Sequence, residues 1–125
     1  MKISKHLVTL ISLAFVLGLS GNVLADDNAA KTMATIISKL NHFPSAAEKE
    51  QLAAISANGE NSEATRLLAD LLAALQHVPN AEAKAKLQSI VDNGDASDAE
   101  KTIATVMLGI NHKPSAEGVA MLEKL

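Results

Sequence analysis

Asn41-His42-Phe43-Pro44-Ser45 recurs as Gln76-His77-Val78-Pro79-Asn80 and again as Asn111-His112-Lys113-Pro114-Ser115. The interval is 35 residues both times. Around these pentapeptides other positions keep step without a gap. Lys31, Arg66 and Lys101 align, as do Ala34, Ala69 and Ala104. Leu40, Leu75 and Ile110 follow, then Leu52, Leu87 and Leu122, and Ile55, Ile90 and Leu125. A fixed period of this size marks an array of one supersecondary unit.

Each unit reads as two helices. Met33, Ile36, Ile37 and Leu40 fall at i, i+3, i+4 and i+7, one apolar helical face. Leu68, Leu71, Leu72 and Leu75 repeat the pattern, as do Ile103, Val106, Met107 and Ile110. The His-x-Pro segment stops this first helix, because proline lacks an amide hydrogen and restricts the residue before it. Ser45, Asn80 and Ser115 then stand as N-caps of the second helix. Ser45 with Glu48, and Ser97 with Glu100, have the spacing of capping boxes. Asn58-Gly59 and Asn93-Gly94 are expected to end the second helix in a left-handed cap. Asp27 is expected to cap the first helix of unit one, in the place of Ser62 and Ser97.

The fold class is therefore all-α: three tandem antiparallel helical hairpins, six short helices, stacked as a short α-solenoid or a compact bundle. The units run about 27–61, 62–96 and 97–125. The period resembles that of tetratricopeptide repeats in architecture. The Trp, Leu-Gly, Tyr and Phe positions of that family are missing, and the proline lies between the two helices of a unit. The ankyrin Thr-Pro-Leu-His signature is missing too. No functional residue is carried over from either.

Residues 1–25 read as a cleaved secretory signal peptide. Lys2 and Lys5 precede an apolar run from Leu7 to Leu19, and Val23-Leu24-Ala25 supplies a cleavage site. The run is too short to span a bilayer, which takes roughly 20 apolar residues. Residues 26–125 then form a single domain, periplasmic or secreted.

The 125-residue chain carries a formal charge of −3. Residues 26–125 are more acidic still, since Lys2 and Lys5 fall outside them. Phe43 is their only aromatic residue. Single-stranded nucleic acid and sugars are held on aromatic platforms, and nucleic acid also needs a basic face, so both are disfavoured. Stable membrane insertion is not expected after cleavage. No cysteine is present, which removes disulfides, thiolate metal sites and cysteine nucleophiles.

No nucleophile elbow, glycine-rich phosphate loop or Ser-x-x-Lys motif occurs, so no enzyme and no cofactor are expected. Asp92-Asn93-Gly94-Asp95-Ala96-Ser97-Asp98 lacks the full pattern of a calcium loop. It reads as a cap, a turn and acids at the next helix N-terminus.

Two places carry functional readings. His42, His77 and His112 occupy one position in each unit. Their plain reading is helix termination, with the imidazole near the last carbonyls. Their functional readings are metal or haem contact and pH sensing. Hairpins stacked roughly 9–10 Å apart would keep them from sharing one ion, so no metal is assigned. The second place is the last helix. Val119 and Met121 replace the charged or polar Lys49, Lys84, Gln51 and Lys86. With Leu122 and Leu125 they make an apolar strip that either packs inward or meets a protein partner or a second copy. The expected function is a non-catalytic protein–protein interaction module. The alternative is a metal- or small-ligand-binding protein that uses the His-x-Pro edge.

Overall fold

The computed structural model describes residues 25–125. The signal-peptide segment, apart from Ala25, lies outside the described residues. Six helices are described: α1 over residues 25–38, α2 Ala46–Ala57, α3 Glu63–Ala73, α4 Ala81–Asp92, α5 Asp98–Leu108 and α6 Ala116–Leu122. No helix among the described residues is long and apolar enough to cross a membrane.

The odd-numbered helices are the inner ones. Met33, Ile37, Leu68, Leu72, Ile103 and Met107 are fully buried, and one core joins all three units. Ala34, Ala69 and Ala104 lie in that core, where a small side chain lets helices approach closely. The even-numbered helices contribute fewer anchors: Leu52 from α2, Leu87 and Ile90 from α4, Leu122 from α6.

Neighbouring helices pack together as the repeat predicts, but the closest pairs are not those within a unit. α2 packs along α3, and α4 along α5, across the Asn-Gly turns, whereas α3 and α4 barely touch. In unit two the His-x-Pro turn splays its two helices, whereas in unit three α5 and α6 still pack together; the Asn-Gly turns hold their helices closest. α6, the last outer helix, lies beside α1, and Leu122 and Leu125 face Lys31, Ala34 and Ser38 across a shallow pocket. The array thus closes on itself instead of remaining an open solenoid.

Local signals explain the ends. Both capping boxes form, at Ser45–Glu48 and Ser97–Glu100. Asn58 and Asn93 are extended, and none of the described glycines has positive φ, so the expected left-handed caps do not occur. Each asparagine instead turns the chain through its side chain. Asn58 Oδ1 accepts from the Glu60 N–H at 3.0 Å and Asn93 Oδ1 from the Asp95 N–H at 2.9 Å. Asp27 lies inside α1 and is not its cap. Its neighbour Asp26 reaches across, accepting from the Ser62 N–H at 2.8 Å.

α6 approaches α5 because position 118 is glycine. A Cβ there would lie 3.0 Å from Val106 Cγ1. Units one and two carry Glu48 and Ala83 at this position. In unit two the splayed helices leave a groove of about 530 Å³, lined in part by Leu67, Leu71 and Val78.

At the end of the bundle where α3 and α5 begin, Glu100 is 7% exposed. Its Oε2 accepts from the Ser62 hydroxyl and, at 2.8 Å, from the Thr65 hydroxyl. Its Oε1 accepts from the Ser97 N–H at 2.7 Å. Burial alone raises the pKa of this carboxyl. The hydrogen bonds from Ser62, Ser97 and Thr65 outweigh it and hold the pKa below its ordinary value.

A carboxyl whose pKa is lower in the folded chain stabilises that chain fully above the unfolded value, about 4.3. That contribution is lost as pH falls through the lower folded value. Glu100→Gln should therefore cost about 1–3 kcal/mol at neutral pH. Urea unfolding of both chains should show this gap shrinking below about pH 4. A gap of equal size at pH 7 and pH 3 would show that the charge of Glu100 is not what stabilises the fold.

Candidate metal centre at the closed end of the bundle

The His-x-Pro turns of all three units meet at the other end of the inner helices. There the His42 N–H donates to the His112 carbonyl at 2.6 Å. The His77 N–H donates to the His42 carbonyl at 2.7 Å, and the His112 N–H to the His77 carbonyl at 2.6 Å. Each histidine peptide donates once and accepts once, so the three bonds form a closed ring with approximate three-fold symmetry. The prolines lock this arrangement. Pro44 and Pro79 are buried, and proline keeps the residue before it extended.

The ring forces an unusual backbone. His42, His77 and His112 have φ of 77°, 61° and 67°, the only positive values at non-glycine residues among those described. At His77 the turn is closed by the Val78 N–H donating to the Gln76 carbonyl at 2.6 Å. Left-handed backbone costs an ordinary L-residue roughly 1–2 kcal/mol. An intramolecular hydrogen bond returns a net of about 0.5–1.5 kcal/mol. The two effects nearly cancel, so the ring does not by itself select histidine. Glycine would make the same bonds without strain. The residue type has to be explained by the side chain.

The side chains converge. Ring centroids are 5.1 Å apart for His42 and His77, and 5.0 Å for each of the other two pairs. His77 Nδ1 and His112 Nδ1 are 3.1 Å apart, close enough for one to donate to the other. One ligand nitrogen from each of the three histidines lies within 4.8 Å of the others. Tetrahedral zinc, with donors at 2.0–2.1 Å, places its ligand atoms about 3.3 Å from each other. The His77 and His112 Nδ1 atoms already stand near that spacing, and the full set spans up to 4.8 Å. No carboxylate joins this cluster among the described residues. His42 is half-buried, while His77 and His112 are exposed, so the centre opens to solvent.

The separation of roughly 9–10 Å expected for stacked hairpins does not apply. Closure around an axis brings equivalent positions together at that axis, whereas stacking holds them a repeat apart. Among the described residues the imidazoles of His77 and His112 meet each other rather than the last helical carbonyls, and the three histidine peptides are tied to the neighbouring units.

The apolar strip of the third unit folds the other way. Leu122 is 3% exposed and belongs to the core. Met121 and Leu125 pack against that core, and Val119 is half-buried. Gly118 permits this inward rotation by letting α6 reach Val106. Among the described residues the exposed large hydrophobics are instead Phe43 and Val78, at 53% and 45%. Both are the middle residue of a His-x-Pro turn, next to a candidate ligand. The Phe43 and His77 ring centroids are 6.5 Å apart. Lys113 holds the equivalent position in unit three. The signal for this collar is present in the pentapeptides but has no meaning until the three turns are known to meet.

No protein-family model, curated protein or solved structure matches the chain.

If the imidazoles are present for their side-chain chemistry, removing one should spare the fold. Metal-free His77→Gly releases backbone strain and adds a similar unfolded-state entropy. Its unfolding free energy should stay within about 1 kcal/mol of the parent chain. A loss well above about 2 kcal/mol would identify His77 as a packing residue of the fold.

Proposed function

We propose that the protein binds a divalent transition metal at His42, His77 and His112. The convergence of one nitrogen from each, all within 4.8 Å, carries this reading. Imidazole suits zinc, copper, nickel and iron, so the ligand set selects this class over calcium and magnesium, which take oxygen ligands. Three neutral ligands leave the charge of the ion uncompensated and at least one coordination position unfilled. The bundle supplies the rigid support such a site needs, because each ligand is anchored through its own peptide.

This role fits the alternative expectation of a metal-binding protein that uses the His-x-Pro edge. Export is part of the same proposal and rests on the signal-like residues 1–25. The interaction-module reading finds less support at the last helix, where Leu122 is in the core. A non-catalytic role remains our reading.

Calorimetric titration of the untagged chain with zinc tests the proposal. One ion per chain is expected. At free zinc of 100 times the dissociation constant, unfolding should become harder by about 2.7 kcal/mol. Replacing all three histidines with glycine should weaken binding by more than the roughly 10–100-fold that loss of a supporting residue causes. Unchanged zinc affinity in that variant would refute the site.

A further inference from the structure

The three-histidine centre has three-fold ligands but a collar without three-fold symmetry. Phe43 and Val78 offer exposed apolar surface, and Lys113, at the third equivalent position, is exposed as well. A second cation stands near: Lys49 Nζ lies 5.8 Å from the centre of the Phe43 ring. Of the acids in the first turns after the His-x-Pro segments, Glu48 accepts from the Ser45 N–H and Glu82 pairs with Lys86 at 3.0 Å. Glu117 is the third. No fourth protein ligand joins the histidines among the described residues. An ion held there keeps its full positive charge and an outward position for a donor from solution.

We infer that this position takes a monocarboxylate with a small apolar body. This inference rests on the metal reading. The charge on the ion favours an anionic oxygen donor over a neutral one. Lys113, exposed and next to His112 in the chain, supplies a positive charge on the third turn. Phe43 and Val78 give the rest of the ligand an apolar surface to cover. They are the exposed large hydrophobics of the described chain; the Phe43 ring centroid is 6.5 Å from that of His77, and Val78 follows His77 directly in the chain. An aromatic or short aliphatic carboxylate satisfies all three features at once. A bare inorganic anion leaves the apolar collar unused, and an uncharged aromatic leaves the ion and Lys113 unused.

Zinc-loaded full-length protein is titrated with benzoate and with acetate by calorimetry. The cobalt-substituted protein is followed in the visible spectrum, which reports a change of donor atom at the ion. Benzoate should bind roughly tenfold more tightly than acetate, the worth of covering about 60 Å² of apolar surface. Phe43→Ser with Val78→Ser should reduce that preference to about twofold and leave zinc affinity unchanged, since both side chains are exposed and neither is a ligand. Lys113→Ala should weaken both carboxylates several-fold. Equal affinity for benzoate and acetate in the parent chain overturns the apolar assignment. Zinc binding with a cobalt spectrum indifferent to benzoate overturns the inference and leaves the metal reading standing. Absence of zinc binding overturns both.

Discussion

Three backbone hydrogen bonds, from His42 to His112, His77 to His42 and His112 to His77, decide the shape of this molecule. They run between units and not within them, and they form a ring. An open array of three units leaves the first and last without a neighbour on one side. Closure removes those ends. α6 takes the place beside α1 that α2 takes beside α3 and α4 beside α5, so each inner helix has an outer partner. The same ring draws three histidine side chains to a common axis. Fold and candidate site therefore have one cause.

The ring also accounts for the strain at its centre. Positive φ at three non-glycine residues is uncommon, though histidine tolerates it better than most. Strained backbone of this kind persists where the surrounding structure over-determines it, and such places gather at binding sites. Here the over-determination is visible. A proline two residues on fixes the exit of each turn, the buried Leu40, Leu75 and Ile110 fix its entry, and the neighbouring units hold the peptide between. At the opposite end, Glu100 ties Ser62 and Thr65 of α3 to α5, and Asp26 ties α1 to Ser62. The inner helices are thus bound at both ends by polar contacts between units.

Much of this is written in the sequence, and the rest has a physical reason for being hidden. The repeat is legible because identical residues recur at one interval, and the helices because their apolar faces follow the helical period. The capping boxes at Ser45 and Ser97 are legible because capping is a local interaction. Closure is not local. An interval of 35 residues describes open and closed arrays equally well, since the rotation between units lies in the packing of side chains such as Ala69 and Ala104. Without closure, His42, His77 and His112 read as three separate helix ends, and Phe43, Val78 and Lys113 as scattered surface residues. The asparagine turns miss for a smaller reason. Asn58-Gly59 permits a left-handed cap, but the Asn58 side chain bonds the Glu60 amide and turns the chain without one.

Closure and metal binding would reinforce each other. The His42–His112 contact joins the first unit to the last and spans two full repeats. Ordering a longer loop costs entropy that grows slowly, about 0.6 kcal/mol for each doubling of length. The cost is modest, but the unaided contact offsets it with a single backbone bond and an imidazole pair. An ion held by His42, His77 and His112 would tie the outermost units through the same residues that close the ring. Because the three imidazoles converge only in the closed bundle, the free energy of binding an ion there would become free energy of closure. The third unit, which has the shortest outer helix and depends on Gly118 to seat it, would gain most from that tie. A metal at this axis would therefore act on the whole array, although its ligands come from only three residues.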